Sequence, residues 1–275
     1  MLRMTMATLF LAFLAMQTQT VSADDLRFVG HRGASHDAPE NTVVAFKLGF
    51  EQGADFVEAD LRLTSDGHII LLHDNDTKRV GGTDKPAIKQ TLAEIRKLDV
   101  GSFKGSKYAG EKVPTLAEGL AVVPAGKGIF LELKAGPEIV PPLVAALKQS
   151  PLKPEQQVII GFNLQTVTLA KKALPHLKVY WLASFKQDKQ TKQWKPDSRE
   201  VLAKAKAAGL DGVDLQAGAV VDARLVQAAR AAGLEVHVWT VNDAMLAKKM
   251  RQAGVVSITT DRPEWLREQL TVKSE

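Results

Sequence analysis

The chain has 275 residues, no cysteine and a formal charge of +5, so disulfide frameworks, thiolate metal ligands and cysteine nucleophiles are all excluded. Its lysines and arginines are scattered along predicted helices, as in Lys171-Lys172 and Lys248-Lys249. This is typical of solvated helix faces rather than of a nucleic-acid-binding surface, so no nucleic-acid partner is expected. The densest basic stretch, 186–195, is predicted to be a polar loop that carries Trp194. The oligomeric state is left open.

The first 23 residues have the pattern of a secretory signal peptide. A positive charge at Arg3 precedes an apolar run from Met4 to Met16, and Val21-Ser22-Ala23 provides the small residues that a signal peptidase recognises. The alternative is an uncleaved anchor, but a membrane-spanning helix needs about 20 apolar residues and this run is shorter. We therefore expect residues 24–275 to be exported to a bacterial periplasm, with no stable membrane insertion once the signal is removed.

Strand-like and amphipathic helical segments alternate along the rest of the chain, which predicts βα units and a parallel sheet. The predicted strands are Leu26–His31, Phe56–Asp60, Gly128–Lys134, Gln157–Phe162, Lys178–Ala183, Gly212–Gln216, Glu235–Thr240 and Val256–Thr260. The predicted helices are Asn41–Gly53, Glu138–Gln149, Leu164–Leu174, Arg199–Ala208, Asp222–Ala232 and Asp243–Ala253. Eight parallel strands over about 250 residues are expected for an α/β fold of the (β/α)8 TIM barrel class.

One further strand-like segment, His68–His73, follows Asp60 too closely for a crossover helix. A parallel neighbour needs a connection of about a dozen residues or more, so the turn at Asp66-Gly67 predicts an antiparallel return from the barrel rim. This rim β-hairpin brings His73 to the mouth of the barrel. Residues 75–114 then form a small insertion after the second strand, predicted to be a cap beside the mouth rather than a separate domain.

Three acidic residues are predicted to point into the barrel near the carboxyl ends of two strands. Strand alternation places Glu58 and Asp60 on one inward face and Glu132 with Lys134 on another. Such a cluster is costly without a compensating cation. Lys134 and Arg62 are one alternative for that role. One hard divalent cation, Ca²⁺ or Mg²⁺, suits three carboxylates better, and the residues do not choose between the two ions.

Two histidines are expected at the same rim, because His31 ends the first strand and His73 arrives on the hairpin. Two imidazoles can share acid–base work, one removing a proton and the other protonating a leaving oxygen. Arg32 and Lys134 supply positive charge for a phosphate. Glu40 is a candidate to orient His31, and Asn41 is predicted to be the N-cap of the first helix.

The remaining histidines have weaker cases. His68 and His176 are expected to be solvated, and His36 is a candidate substrate contact in the loop after the first strand. His237 is predicted to lie inside the barrel, on the same strand face as Trp239. Trp239 is a candidate wall for the apolar part of a substrate, with an ordinary core position as the alternative.

Several signatures of other enzyme classes are absent from the sequence. There is no phosphate-binding Walker A motif, no GxSxG nucleophile elbow and no dinucleotide-binding fingerprint. Nucleotide-driven reactions, serine-hydrolase chemistry and nicotinamide-dependent redox chemistry are therefore disfavoured.

The combined motifs resemble those of the glycerophosphodiester phosphodiesterase family along essentially the whole mature chain. They are His31-Arg32-Gly33, Pro39-Glu40-Asn41-Thr42, Glu58-x-Asp60, Asp66-Gly67, His73-Asp74, Arg79, Glu132-Leu133-Lys134, Trp239-Thr240-Val241-Asn242 and Thr260-Asp261-Arg262-Pro263. Gly30 before the first motif and Phe162 after Gly161 depart from the family's usual residues. These departures bear on headgroup preference and not on the expected chemistry.

The resemblance implies a (β/α)8 barrel that hydrolyses glycerophosphodiesters, such as glycerophosphocholine or glycerophosphoethanolamine, to sn-glycerol 3-phosphate and an alcohol. It implies His31 and His73 as the acid–base pair and Glu58, Asp60 and Glu132 as ligands of the divalent cation. One alternative is a barrel phospholipase D that acts on lysophospholipids or sphingomyelin, although no strongly apolar exposed loop is predicted. The other is a non-catalytic exported binding protein, which has no need of paired acid–base groups.

Expression of the full-length chain in a bacterium tests the predicted signal. We expect the periplasmic protein to begin at Asp24, because the cleavage motif ends at Ala23. Intact-mass measurement of the purified protein reads this end directly. A Leu11→Arg variant, which interrupts the apolar run, serves as the control that should not be exported. A protein that keeps Met1 and sediments with membranes would instead identify an anchor.

Overall fold

The computed structural model describes residues 26–271, so the predicted signal peptide lies outside the described residues. In chain order the strands are β1 (Arg27–Gly30), β2 (Phe56–Leu63), β3 (Ile69–Leu71), β4 (Asp76–Thr77), β5 (Thr83–Pro86), β6 (Gly128–Leu133), β7 (Gln157–Gly161), β8 (Lys178–Ala183), β9 (Lys186–Gln187), β10 (Trp194–Lys195), β11 (Gly212–Gln216), β12 (Glu235–Trp239) and β13 (Ser257–Thr260). The α-helices are α1 (Val43–Glu51), α2 (Lys78–Gly81), α3 (Leu92–Ile95), α4 (Leu116–Ala121), α5 (Val140–Lys148), α6 (Leu164–Ala173), α7 (Ser198–Ala207), α8 (Ala223–Ala231), α9 (Ala244–Ala253) and α10 (Pro263–Thr271). Among these helices none has the length and apolar character that crossing a bilayer requires.

Eight of the strands close into a parallel barrel. Their order around the ring is β1, β13, β12, β11, β8, β7, β6 and β2, and β1 pairs with β2 to complete it. Every pair of neighbours in this ring is parallel, as a chain of βα units with crossover helices requires. The predicted (β/α)8 barrel is therefore confirmed, and each of its eight predicted strands is present with small shifts at the ends.

Each barrel strand directs alternate side chains to the helices and to the barrel interior. On β2, Val57, Ala59 and Leu61 belong to the large apolar layer between strands and helices and are completely buried. Removing this apolar surface from water is worth roughly 25 cal/mol per Å² and is the main stabilising contribution. A smaller interior cluster is formed by Val29, Phe56, Phe130, Val158, Ile160, Tyr180 and Leu182, with Trp239 packed against it.

The interior of the barrel changes from apolar to charged along two neighbouring strands. Phe56 and Phe130 pack edge to face with their ring centres 5.3 Å apart. The next inward positions toward the carboxyl ends are Glu58 and Asp60 on β2 and Glu132 on β6, and the register pairs Asp60 with Glu132. Aromatic packing thus forms the floor beneath the acidic residues.

The rim hairpin has the predicted form. Strand β3 runs antiparallel to β2, with Leu61 opposite Leu71 and Leu63 opposite Ile69. At the turn, Asp66 accepts hydrogen bonds from the Thr64 hydroxyl and from the backbone N–H of Leu92. The hairpin and the start of α3 are therefore held together, and the chain leaves β3 toward the mouth through His73.

The segment 75–114 packs on the outer side of the hairpin. Apolar residues of this segment form a small cluster with Ile70 and Leu72; they are Val80, Ala87, Ile95, Val100 and Val113, with Leu92 and Leu98 against them. Lys104 Nζ donates to the carbonyl of Ser35 at 2.6 Å, and the Tyr108 hydroxyl donates to the carbonyl of Asp37 at 2.6 Å. The segment therefore braces the loop that follows β1.

Three local expectations differ from the structure. The N-cap of α1 is Thr42, whose hydroxyl accepts from the N–H of Ala45, and Asn41 is not the cap. Helices α2, α4 and α10 were not predicted; α2 and α4 span only four and six residues, too few to show a periodic pattern, whereas α10 spans nine. The stretch 186–195, predicted as a loop, contains the two-stranded antiparallel hairpin β9–β10.

The turn after β1 contains a glycine at which any larger residue would overlap neighbouring backbone atoms. Gly33 has φ +84°, and a Cβ there would lie 2.4 Å from the carbonyl carbon of Ala45. Gly67 in the rim hairpin is a matched control, since its φ is +82° and a Cβ there would meet nothing within 4 Å.

We expect Gly67→Ala to cost about 1 kcal/mol from backbone conformation alone. Gly33→Ala should cost a further 1–3 kcal/mol or so, because the extra methyl overlaps backbone atoms that cannot rotate away. Equilibrium urea unfolding of both variants measures the difference. Equal losses in the two variants would show that the close approach at Gly33 is relieved by movement of α1.

Candidate active site

A cavity of about 230 Å³ lies at the carboxyl ends of the barrel strands. It is lined by His31, Arg32, Glu58, His73, Glu132, Lys134, Ile160, Phe162, Leu182, Asp214, Trp239, Thr240 and Thr259. Most of the predicted site residues therefore meet in one place. A larger cleft of about 420 Å³, lined in part by Arg27, Lys127 and Lys153, lies at the amino ends of the strands and contains none of them.

Three carboxylates form a buried cluster on one side of this cavity. One oxygen from each of Glu58, Asp60 and Glu132 lies within 4.8 Å of the others. The three residues are 3%, 1% and 7% exposed, respectively. Ionised carboxylates that lie this close together and are shielded from water repel one another strongly unless nearby positive charge compensates them.

Two side-chain cations compensate part of this charge. Arg32 Nε lies 3.2 Å from Asp60 Oδ2, and Lys134 Nζ lies 3.2 Å from Asp60 Oδ1 and 2.8 Å from Glu132 Oε1. Arg62, considered from the sequence as a partner of the cluster, instead donates two hydrogen bonds to the carbonyl of His73 at 3.0 and 2.7 Å. The arginine that pairs with the cluster is therefore Arg32, and Arg62 holds the hairpin.

The protonation behaviour of the cluster shows that this compensation is incomplete. Burial, together with the charges of Asp60 and Glu132, raises the pKa of Glu58 well above its usual range. Burial and Asp60 likewise raise the pKa of Glu132. At Asp60 burial is outweighed by Lys134 and Arg32, which lower its pKa. Two of the three carboxyls thus lack sufficient positive charge nearby.

The donor set fits a hard divalent cation. Oε1 of Glu58 is buried and has no hydrogen-bond partner among residues 26–271, while its Oε2 accepts only the backbone N–H of Arg32 at 3.0 Å. All three candidate ligands are carboxylates, the donors that Ca²⁺ and Mg²⁺ prefer. The cluster can therefore hold a metal ion, with Glu58, Asp60 and Glu132 as its ligands.

Asn41 holds the acidic strand in place, a role that the sequence reasoning missed. Its side-chain NH₂ donates to Asp60 Oδ2 at 2.7 Å, and its amide oxygen accepts from the backbone N–H of Asp60 at 3.0 Å. Asn41 is buried and has φ +58°, a conformation that asparagine tolerates better than most residues. The sequence could not distinguish these two roles, because asparagine is favoured both as a helix N-cap and at a turn position with positive φ.

His31 is oriented by an aspartate from the opposite end of the chain. Its Nδ1 lies 2.6 Å from Oδ1 of Asp261, which also accepts from the hydroxyl of Ser35 at 2.9 Å and, through Oδ2, from the side chain of Asn242 at 2.5 Å. Burial would raise the pKa of Asp261, but these hydrogen bonds outweigh it and lower the pKa to about 2. Asp261 remains ionised and leaves Nε2 of His31 free to face the cavity.

Glu40 does not contact His31, contrary to the orienting role considered for it. It accepts two hydrogen bonds from Arg79, at 2.7 and 2.8 Å, and one from Arg32 at 2.8 Å. Arg79 also donates to Oδ2 of Asp74 at 2.7 Å, and Oδ1 of Asp74 lies 2.8 Å from Nδ1 of His73. A continuous chain of ionic hydrogen bonds therefore joins His73 to the arginine beside the acidic cluster.

These ionic hydrogen bonds influence the protonation states of Asp74 and His73. Hydrogen bonds from Arg79, and then from His73, outweigh burial and lower the pKa of Asp74 to about 2. Burial, together with the positive charges of Arg32 and Lys134, lowers the pKa of His73 despite the opposing effect of Asp60 and Asp74. His73 is therefore held in position by an ionised aspartate while it stays neutral at lower pH than a free histidine.

The wall facing the acidic cluster is largely apolar. Phe162 and Trp239 pack edge to face, with ring centres 5.4 Å apart, and Ile160 and Leu182 line the cavity beneath them. The Nε1 of Trp239 donates to the backbone carbonyl of Asp214 at 3.1 Å, so the ring is fixed in the cavity lining. Trp239 therefore lies where the apolar wall was predicted.

The other histidines lie outside the cavity lining. His36, His68 and His176 are exposed, and the side chain of His36 pairs with Asp37 at 2.7 Å. His237 is inside the barrel, as predicted, with its ring stacked 4.2 Å from that of Tyr180 and its Nδ1 2.7 Å from the Ser257 hydroxyl. His237 thus belongs to the packed interior beneath the cavity.

Comparison with known proteins assigns this arrangement to a family. The model of the glycerophosphoryl diester phosphodiesterase family matches residues 31–265. A glycerophosphodiester phosphodiesterase of Caldanaerobacter subterraneus subsp. tengcongensis is 34% identical over 86% of this chain and 95% of its own length. Another from Bacillus subtilis is 30% identical over 89% of this chain and 86% of its own length.

Solved structures give the same result. A phosphodiesterase of Oleispira antarctica, solved in complex with the product sn-glycerol-3-phosphate, superposes with a TM-score of 0.79 at 28% identity. The match covers 89% of this chain and 96% of that one. The chain belongs to the glycerophosphoryl diester phosphodiesterase family of phosphoric diester hydrolases.

Proposed function

We propose that this enzyme hydrolyses glycerophosphodiesters to sn-glycerol 3-phosphate and an alcohol, with one divalent cation and a pair of histidines. The observation that carries the proposal is the single cavity in which two aspartate-held histidines face a buried acidic cluster and two side-chain cations. The sn-glycerol-3-phosphate bound to the Oleispira antarctica relative supports the choice of substrate class. Glycerophosphocholine and glycerophosphoethanolamine are the simplest members of that class.

The phosphate of the substrate binds between Arg32 and Lys134. Both are largely buried, at 17% and 14% side-chain exposure, and both already contact the acidic cluster. Their pKa values are raised, since the charges of Asp60 and its neighbours outweigh burial, so both stay protonated. Glu58, Asp60 and Glu132 hold the cation, Ca²⁺ or Mg²⁺, which when bound neutralises charge on the phosphate oxygens.

The two histidines move the protons. Because Nδ1 of each ring is engaged by an aspartate, Nε2 is the nitrogen available to the substrate. One histidine removes a proton from the attacking oxygen, which is water or the neighbouring hydroxyl of the glycerol; attack by the hydroxyl gives a cyclic glycerol phosphate, which water then opens to sn-glycerol 3-phosphate. The other protonates the departing alcohol oxygen as the P–O bond breaks. Asp261 holds the ring of His31 in position during the reaction, and Asp74 holds that of His73.

The size of the cavity favours this substrate class over intact lipids. A volume of about 230 Å³ suits a small phosphodiester better than one that also carries the acyl chain of a lysophospholipid or sphingomyelin. Initial rates on glycerophosphocholine and on lysophosphatidylcholine separate the two possibilities. We expect the first to be hydrolysed much faster. Faster hydrolysis of lysophosphatidylcholine would instead support the phospholipase D function.

Replacing either histidine tests the catalytic scheme. We expect His31→Ala and His73→Ala to lower kcat for glycerophosphocholine by about 10²- to 10⁴-fold, the usual contribution of general acid–base catalysis. The release of sn-glycerol 3-phosphate is the measurement, and circular dichroism checks that each variant is folded. His68→Ala, on the exposed tip of the rim hairpin, is the matched control and should retain full activity. Near-normal turnover in either cavity variant would refute the scheme.

Replacing Glu58 tests the metal site without reference to activity. Ca²⁺ or Mg²⁺ at 100 times its dissociation constant should stabilise the metal-free protein by about 2.7 kcal/mol, which raises the melting temperature by several degrees. Glu58→Gln should lose that rise. The metal-free variant should be at least as stable as the metal-free wild type, because a repelling buried carboxylate has been removed.

Thermal unfolding with each ion and with chelator measures both effects. Glu51→Gln, on the exposed face of α1, is the matched control and should respond to the cations as the wild type does. If Glu58→Gln showed the same cation-dependent rise as the wild type, the acidic cluster would not be the metal site.

A further inference from the structure

A fourth carboxyl group borders the cavity and has no part in the proposed mechanism. Asp214 lies on β11, is 1% exposed and lines the cavity. Its Oδ1 is buried and lacks any hydrogen-bond partner within residues 26–271. Buried carboxyl oxygens are seldom left unpaired, because each costs free energy unless a ligand or water completes it.

The position of Asp214 separates it from the acidic cluster. Strand β11 is four strands from β2 in either direction around the eight-stranded ring, so Asp214 and Glu58 lie on opposite walls. Its neighbours along the cavity lining are the side chains of Ile160, Leu182 and Trp239. The indole N–H of Trp239 is already donated to the Asp214 backbone carbonyl and cannot serve the carboxyl.

The surroundings of Asp214 show which kind of group it can receive. Arg32 and Lys134 are engaged with the opposite wall, and within residues 26–271 the Asp214 carboxyl forms no ion pair. Its ladder neighbour on β12 is His237, whose pKa is lowered by burial. Burial, and then the charge of Glu132, raises the pKa of Asp214 well above its usual range. A carboxyl group in an apolar wall suits an uncharged hydroxyl, which can both donate and accept a hydrogen bond.

A glycerophosphodiester held with its phosphate between Arg32 and Lys134 must extend one arm across the cavity toward β11. The glycerol arm carries two hydroxyls. The one next to the phosphate stays close to the phosphorus, whereas the terminal one lies at the far end of the arm. The terminal hydroxyl is therefore the group that reaches the wall where Oδ1 of Asp214 has no hydrogen-bond partner among the described residues.

We propose that Asp214 is a specificity-determining residue that hydrogen-bonds the terminal hydroxyl of the glycerol arm. This inference rests on the proposed function, since it assumes a glycerophosphodiester in the cavity. Ile160, Leu182 and Trp239 pack against the carbon chain of the same arm. The departing alcohol points out of the barrel, toward the mouth.

If Asp214 binds this hydroxyl, the enzyme should prefer substrates that carry the terminal hydroxyl of the glycerol arm. A site built to pair with a substrate hydroxyl rejects an analogue that lacks it, because the buried polar group is then left unpaired. The wild type should therefore prefer glycerophosphocholine, by about 10- to 100-fold in kcat/KM, over an analogue without the terminal hydroxyl. The suitable analogue is the phosphocholine diester of propane-1,2-diol, which keeps the hydroxyl next to the phosphate.

Two variants isolate the contribution of Asp214. Asp214→Leu removes hydrogen bonding at similar size, and Asp214→Asn keeps a group that donates and accepts. We expect Asp214→Leu to abolish the preference by lowering kcat/KM for glycerophosphocholine while leaving that for the deoxy analogue unchanged or higher. Asp214→Asn should retain most of the preference. Asp84→Leu, exposed on β5, is the control and should behave as the wild type.

Several outcomes would overturn the proposal. An equal loss on both substrates in Asp214→Leu would indicate a structural role. An unchanged preference would show that the hydroxyl binds elsewhere. A glycerophosphomethanol arm tests for recognition of the choline ammonium: if Asp214→Leu spares this substrate but slows both phosphocholine diesters, the carboxyl contacts the departing group instead. If Asp214→Leu does not fold, the loss or retention of the preference in Asp214→Asn and Asp214→Ser decides.

Direct binding separates this proposal from the proposed function. Calorimetry with sn-glycerol 3-phosphate and with the phosphate monoester of propane-1,2-diol requires no turnover. If the wild type hydrolyses no glycerophosphodiester, the proposed reaction fails. Tighter binding of sn-glycerol 3-phosphate that disappears in Asp214→Leu would still support the role of Asp214, and equal binding of the two monoesters would refute it.

Discussion

The close burial of three carboxylates at one edge of the barrel is the constraint that organises the rest of the site. Glu58, Asp60 and Glu132 lie within 4.8 Å of one another and are almost inaccessible to water. The surrounding polar groups reduce this cost: Arg32 and Lys134 supply charge, and Asn41 binds both the backbone and the side chain of Asp60. The positive φ angles of Arg32, Gly33 and Asn41 follow from the path the loop takes to reach the cluster.

The second organising feature is the division of the cavity into two walls. Strands β2 and β6 carry the ionic groups, and β7, β8 and β12 carry Ile160, Leu182 and Trp239 on the other side. In the proposed function, the fixed charges on one wall would hold the phosphate in place, while the apolar wall would exclude water and so strengthen the electrostatic interactions within the cavity. Asp214 lies within that apolar wall, away from His31, His73 and the acidic cluster. We therefore assign its unpaired oxygen to substrate recognition and not to the chemical step.

The barrel and most of the cavity-lining residues were predictable because their signals are local. Strand alternation alone places Glu58 and Asp60 on one inward face, and the short span from Asp60 to His73 forces an antiparallel hairpin. The groups that orient the histidines were less accessible to such reasoning. Asp261 lies 230 positions from His31, and Arg79 and Glu40 act through bonds to other side chains. No periodicity records a partnership between residues that only the closed ring brings together.

The motifs along the chain carried the resemblance to the family, and the sequence by itself determined the fold class, the three carboxylates of the acidic cluster, the basic groups Arg32 and Lys134, and the arrival of two histidines at one rim. These depend on residue type, alternation along a strand and the lengths of connections, all of which are properties of short segments. Only the tertiary structure decided which cation pairs with which carboxylate, that Asp261 holds His31, and that Asp214 lies opposite the acidic cluster with its Oδ1 unpaired within residues 26–271. Those facts depend on closure of the ring, because closure alone sets the distances between strands that are remote in sequence.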